Sequence, residues 1–352
     1  MIQEIFRKVD EGRGLERDDI RYLLENRESV EEAVFEKARA ITDLHFHKKI
    51  YVRGLIEFTN HCHNNCYYCG IRRDNDEVER YRITPEELES AVAVGAEAGF
   101  QTFVLQGGED AYFTDERLAD WVRRIKKIQP SCAITLSVGE RSMESYARLK
   151  EAGADRFLLR HETYDPAHYK KLHPKEMDQQ KRMKCLKDLK ALGYQVGSGF
   201  MVGSPYQTIE NLVEDFMFLQ EFQPAMIGIG PYVRHHATPF RDFENGSVEL
   251  TAMCIAILRL LFPTANIPST TAMQTLAEDG RNRGILAGAN VFMPNLSPPR
   301  VRKSYALYDN KAAFALEAAE NLRDLKEQIA ELGYEIVMSR GDFTGRENYN
   351  VQ

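Results

Sequence analysis

The chain has 352 residues, 43% of them apolar and 28% charged, which is ample for a sizeable core and too long for a small binding module. Its net charge of −7 offers no global basic field to nucleic acid or an anionic membrane. The opening run MIQEIFRKVDEGRG lacks an apolar leader core, and the most apolar stretch, 252–262, is interrupted by Arg259 and too short to span a bilayer, so a cytoplasmic protein, monomeric by default, is expected.

Residues 1–50 read as helices, with Asp18 and Asp19 placed to start one and 31–46 apolar at helical spacing. A strand–helix alternation follows. Predicted strands are 53–58 (RGLIEF), 102–106, 132–138, 155–159, 195–202, 226–230, 266–270 and 289–293. Predicted helices are 84–98, opened by Thr84, Pro85 and Glu87, then 114–127, 141–152, 178–192, 207–221, 249–262 and 273–286, with a last one over 311–332. Near-continuous apolar strands alternating with helices imply a parallel sheet covered by helices. Eight such units fit an α/β fold of the (β/α)8 TIM-barrel type. A doubly wound open sheet is the alternative, but no G-x-G-x-x-G turn follows the first strand. The expected organisation is a helical extension over 1–50, the barrel over 51–310, and a C-terminal helix and tail over 311–352 packed on it.

The run NHCHNNCYYCG after the first strand holds Cys62, Cys66 and Cys69 at C-x3-C-x2-C spacing. Thiolates suit iron–sulfur clusters, which usually take four. Three in one short loop can hold three irons of a [4Fe–4S] cube and leave the fourth open to a small molecule. A zinc site would use paired Cys or Cys/His elements, and His61 and His63 crowd Cys62 too closely for a tetrahedron. Cys132, Cys185 and Cys254 are scattered and read as buried small apolar residues. Polar residues gather after the other strands: Gln106 to Asp110, Ser137, Arg160 to Thr163, Pro231 and His235, Thr270 and Thr271, Pro294 and Asn295. Barrel active sites form at those strand ends, so these groups converge with the cysteines.

The cysteine motif resembles the radical S-adenosylmethionine (SAM) superfamily. Further segments from about residue 50 to 308, among them RYRITPEE, VLQGGED, EAGADRFLLRHET, MVGSPYQT, GIGPYVRH, IPSTTAM and GANVFMPN, resemble its HydE family of [FeFe]-hydrogenase maturases. The resemblance implies a [4Fe–4S] cluster on Cys62, Cys66 and Cys69, and SAM held by Tyr68, Gln106, Gly108, Glu109, Ser137, Glu162 and Arg182. It implies reductive SAM cleavage to a 5′-deoxyadenosyl radical acting on a cysteine-bound Fe(CO)2(CN) synthon. Thr135, Arg160, Thr270, Thr271, Met293, Tyr305 and Tyr308 are expected to border the substrate. Arg53 and Arg156 are expected either to bind an anion lower in the lumen or to form structural ion pairs. A ferredoxin or flavodoxin reductant and other hydrogenase maturases are the implied partners. No cysteine follows Cys254, so a single cluster is expected. Methylornithine synthase, a carbon-skeleton mutase, shares the overall plan and is the alternative, and a non-catalytic metal-binding scaffold is a third reading.

Overall fold

The computed structural model describes residues 1–311 and 322–345. Three helices come first: α1 (Ile2–Asp10), α2 (Arg17–Glu25) and α3 (Arg27–Phe46). Glu16 and Asp19 cap the start of α2 reciprocally, and a buried Lys8–Asp19 ion pair of 2.6 Å ties α1 to it. The chain then enters β1 (Lys49–Val52) and β2 (Gly54–Thr59).

The alternation continues with α4 (Pro85–Glu97), β3 (Thr102–Gly107), α5 (Asp115–Ile128), β4 (Ala133–Ser137), α6 (Met143–Glu151) and β5 (Arg156–Leu158). Next come α7 (Pro166–Leu172), α8 (Gln179–Ala191), β6 (Gln195–Ser198), β7 (Met201–Val202), α9 (Ile209–Phe222), β8 (Met226–Ile227) and β9 (Gly230–Pro231). The remainder is α10 (Val248–Leu261), α11 (Thr271–Leu276), α12 (Gly280–Leu286), β10 (Val291–Phe292), α13 (Pro299–Arg302), α14 (Leu322–Glu331) and β11 (Glu335–Val337). Thr84, Thr114, Ser142, Thr208 and Ser247 each accept a backbone N–H of the helix they precede, so most crossover helices start at a residue chosen for capping.

Strands β2, β3, β4, β5, β6 and β8 pair in that order, all parallel. Single pairings complete the circuit: Met226 with Asn266, Pro268 with Val291, and Leu55 with Asn295. The eight-unit parallel ring is therefore the TIM-type plan, with its last two members reduced to short contacts. Along each strand alternate residues face the lumen. Leu55 and Glu57 of β2, Gln106 of β3, Ser137 of β4 and Leu158 of β5 reach the cavity, while Ile56, Phe103, Leu136 and Phe157 pack in the core.

Several expectations change in detail. The strand expected over 195–202 breaks after Ser198, because Gly199 lies so close to Gly228 that a Cβ would sit 2.0 Å from its carbonyl oxygen. The helix expected over 273–286 is two, since Gly280 packs against the Met273 carbonyl, 2.1 Å from where a Cβ would stand. Residues 266–270 contribute pairings but no full strand, and α7, α13, β1 and β11 were not expected. Of the helix expected over 311–332, residues 312–321 lie outside the described residues, as does the tail 346–352.

The C-terminal segment closes the bottom of the ring. β11 pairs with β1, and residues 340–343 then cross the starts of the strands. Thr102 Oγ1 donates to the Arg340 carbonyl (2.9 Å), Asn266 to the Gly341 carbonyl (3.1 Å), and the Phe343 N–H to Gln195 (3.1 Å). Arg156, fully buried, binds the Asp342 carboxylate at 2.7 Å and the Arg340 carbonyl at 2.6 Å. Arg53 donates to the Gly341 carbonyl. The carboxylate beside Arg156 is the chain's own Asp342, so the structural alternative describes Arg156, while Arg53 makes no such ion pair among the described residues.

Candidate active site

The cysteine loop leaves the top of β2 and is organised around one cation. The Arg80 guanidinium donates to the carbonyls of Asn60 (2.6 Å), Ile71 (2.8 Å), Arg72 (2.6 Å) and Asn75 (2.9 Å). Asn75 in turn donates to the Gly70 carbonyl at 2.6 Å, and Asn60 to those of Glu79 and Ser304. This frame curls residues 60–80 so that Cys62, Cys66 and Cys69 all face one cavity. Burial pushes the Cys69 thiol up to about 12, and the Cys62 and Cys66 thiols in the same direction. Such thiols ionise when a metal supplies the missing positive charge. Three half-buried soft donors in a preformed loop fit an iron–sulfur cluster. Cys132, Cys185 and Cys254 lie buried elsewhere, as expected of apolar fillers.

The second wall is the loop after β3. Its Glu109 N–H donates to Cys62 Sγ at 3.4 Å, and the His63 N–H to the Glu109 carbonyl at 3.0 Å. A Cβ on Gly108 would stand 2.2 Å from the His61 carbonyl oxygen and 2.8 Å from Cys62 Cβ, so only glycine lets the two loops touch. Burial raises the Glu109 carboxyl's pKa, opposed by Arg182 at 3.8 Å. Gly139 sits at φ +76, and a Cβ there would fall 2.0 Å from Glu109 Cγ. Arg182 is fixed by Glu140 at 3.0 Å and by donating to the Arg160 carbonyl at 2.9 Å.

The third wall is the end of β5. Glu162 adopts φ +66, unusual for a residue with a side chain, and its N–H donates to the Gly199 carbonyl. Its carboxylate lies 2.9 Å from Arg160 Nη2, out of hydrogen-bonding alignment. Glu162 Oε2, Arg160 Nε and Arg160 Nη2 are consequently buried with no hydrogen bond among the described residues, and Thr270 Oγ1 is in the same state. Glu162, Arg160 and Thr270 all line the cavity, so these unmet atoms are available to a ligand there. Behind them His161 is locked between Ser198 Oγ (2.9 Å) and Asp215 (3.1 Å). His173 donates from Nδ1 to the Tyr169 carbonyl, so its Nε2 accepts the Tyr68 hydroxyl at 3.1 Å.

These walls enclose a cavity of about 360 Å3. Of the residues expected to hold the cluster, SAM or the substrate, all but Thr135 line it: the three cysteines, Tyr68, Gln106, Gly108, Glu109, Ser137, Glu162, Arg182, Arg160, Thr270, Thr271, Met293, Tyr305 and Tyr308; of the other strand-end groups, Asp110, His161, Thr163, His235, Pro294 and Asn295 do not. Thr135 sits two residues below Ser137 on β4, paired in register with Arg156, and its buried hydroxyl has no partner among the described residues. Sequence reasoning missed Glu57, Lys311, Arg80, Gly139 and Glu140. Glu57 was visible as a lone acid in an apolar strand, in phase with Leu55. Lys311 carried no local signal.

At the rim, Asp309 beside Tyr308 accepts from His236 Nδ1 (2.6 Å) and the His236 N–H (2.8 Å), and Glu77 lies 3.3 Å from His236 Nε2. No described helix is long and apolar enough to cross a membrane.

Residues 56–219 match the family model described as the radical SAM superfamily. The chain is 44% identical over 310 residues, 88% of its own length and 88% of the relative's, to the [FeFe] hydrogenase maturase subunit HydE of Thermotoga maritima. It is 29% identical, over 92% of its length and 90% of the relative's, to 3-methylornithine synthase of Methanosarcina acetivorans. The solved structure of methylornithine synthase PylB superposes with TM-score 0.83 at 26% identity, covering 95% of this chain and 97% of that one. That of the [FeFe]-hydrogenase maturase HydG superposes with TM-score 0.81 at 21% identity, covering 96% and 76%, a likeness of fold alone.

Proposed function

The chain belongs to the HydE family of radical SAM enzymes, and from that premise we propose that it cleaves SAM reductively and directs the adenosyl radical at a cysteine-bound Fe(CO)2(CN) synthon. The reading places the reaction in assembly of the [FeFe]-hydrogenase di-iron site. The observation that carries it is the direct seating of the Gly107-Gly108-Glu109 loop on the cysteine loop, through the Glu109 N–H to Cys62 Sγ.

Cys62, Cys66 and Cys69 would hold a [4Fe–4S] cluster, which would supply one-electron reduction of the SAM sulfonium there. The protein's part is positioning. The backbone of Gly107 and Gly108 admits the methionine end of SAM close to the cysteines, and Glu109 and Glu162 offer carboxylates to its cationic groups. Arg182, held by Glu140, neutralises that acidic wall. Arg160 and Thr270 present unmet donors on the substrate side, suited to an amino-acid carboxylate. An external one-electron donor, a ferredoxin or flavodoxin, and neighbouring maturases complete the cycle.

Cys66→Ala, reconstituted anaerobically with iron and sulfide, should lose its brown cluster absorbance and all dithionite-driven 5′-deoxyadenosine formation. Retention of either would overturn the assignment. The second reading, a carbon-skeleton mutase, draws on the likeness to methylornithine synthase in sequence and structure. L-lysine-dependent deoxyadenosine release, with no response to the synthetic iron complex, would favour it.

A further inference from the structure

We infer that Lys311 is the residue that receives an anionic end of the substrate, a carboxylate or a metal-bound cyanide; the inference rests on the function proposed above. Glu57 projects from β2 into the lumen and is 1% exposed, an unusual place for a carboxylate. Both its oxygens are engaged, Oε2 by Asn295 at 2.9 Å and Oε1 by Lys311. Lys311 is 6% exposed, also lines the cavity, and lies 254 residues further along the chain. The pair brings the segment after the last barrel unit against the first barrel strand.

An ammonium carries three N–H donors. Among the described residues Lys311 spends one on Glu57 and one on the Tyr305 carbonyl at 3.2 Å, with its charge 4.8 Å from the Tyr305 ring. The third N–H has no acceptor there, while the side chain borders an open volume. A structural ion pair needs only the bond to Glu57, whereas Lys311 also borders the cavity with donor capacity beyond the two bonds made among the described residues. Glu57 supplies the compensating charge that lets a lysine stand in a dry cavity. A compact ammonium suits a single oxygen or a cyanide nitrogen better than a broad, planar group. Arg160 stands at the end of β5, three strands round the ring, so the cavity holds two cationic points between which an amino-acid-bearing anion fits. Tyr305, which Lys311 anchors, accepts from Gln106 at 3.4 Å and so joins this wall to the SAM side.

The test uses cluster-loaded, SAM-loaded full-length enzyme, titrated calorimetrically with the synthetic cysteine-ligated Fe(CO)2(CN) complex and, separately, with L-lysine. Lys311→Met should weaken binding of whichever ligand the wild type takes by about tenfold or more, and Lys311→Arg should restore most of it. Because Lys311→Met leaves Glu57 buried without its cation, the double variant Glu57→Gln/Lys311→Met provides a neutral wall, and its binding should stay equally weak. Infrared spectra divide the two anions: a C≡N stretch that shifts on binding to wild type but not to the variants identifies cyanide, and an unchanged stretch with weaker binding identifies the carboxylate. Wild-type affinity in the double variant overturns the inference. A wild type that binds L-lysine and refuses the iron complex overturns the proposed function, and the lysine series then decides Lys311. A wild type that binds neither overturns both.

Discussion

Glu162 is the only non-glycine residue of the described cavity wall held at positive φ, and the strain is local to the site. A left-handed residue with a side chain costs on the order of 1–2 kcal/mol, and here the backbone is fixed by the Gly199 carbonyl and by His161 locked behind it. Glu162→Gly should therefore leave Tm unchanged or raised while SAM cleavage collapses. A lower Tm in that variant would mean the carboxylate serves stability instead. Gly139→Ala makes the reciprocal case. Its added methyl falls on Glu109, so SAM half-saturation should rise about fivefold or more, the consequence of a roughly 1–3 kcal/mol displacement, with iron content unchanged.

The cysteine loop depends on Arg80 more than on its own sequence. Four carbonyls share that one guanidinium, and charged hydrogen bonds are each worth roughly 1.5–3 kcal/mol. Arg80→Met should keep the far-ultraviolet circular dichroism of the barrel and lose most iron uptake; full uptake would show the loop to be self-organising. The rim segment carrying Tyr308 is joined to the barrel by an ion pair that responds to acidity. The Asp309 carboxylate, with Glu77 behind it, raises the His236 pKa above its ordinary value. Its stabilising effect is thus complete below about pH 6.5, the unfolded value, and disappears as pH climbs through the raised folded value. Amide exchange at Asp309 and Asn310 should accelerate across that climb, and His236→Gln should abolish the step. The same elements show what sequence could reveal. The Thr84-Pro85-Glu87 helix start, helical apolar spacing and apolar strand runs made the alternation legible, and strand-end polar residues marked the site. Arg80, Glu140 and Lys311 were illegible because their partners are backbone carbonyls or distant side chains, which leave no spacing pattern. The strands at 195–202 and 266–270 were overextended because glycine close approaches and single pairings cannot be read from hydropathy.

On the scale of the whole molecule, the ring is closed below by residues 340–343, which no periodicity announced. Burial alone would raise the Asp342 carboxyl, but hydrogen bonds from Arg340 and Arg156 hold it down at about 2. Its contribution is therefore present above the unfolded value near pH 4 and is lost as pH falls towards 2. Asp342→Asn should flatten acid unfolding in that window. Asp342→Ala, which removes the carboxylate from buried Arg156, should cost about 1–2 kcal/mol near neutrality, less than a fully buried pair because Asp342 is partly exposed, read as a shift in the urea midpoint. Among the described residues, 340–343 lie across the strand starts, which leaves the rim beside the cysteines as the entrance that the proposed function gives both guests. Two guests sharing one entrance must queue. On the function proposed above, a guest lodged against Arg160 and Lys311 would have to arrive before SAM. Traffic of that kind imposes compulsory-order kinetics, in which surplus SAM obstructs the slower visitor, and initial-rate patterns showing random entry would reveal a second way in.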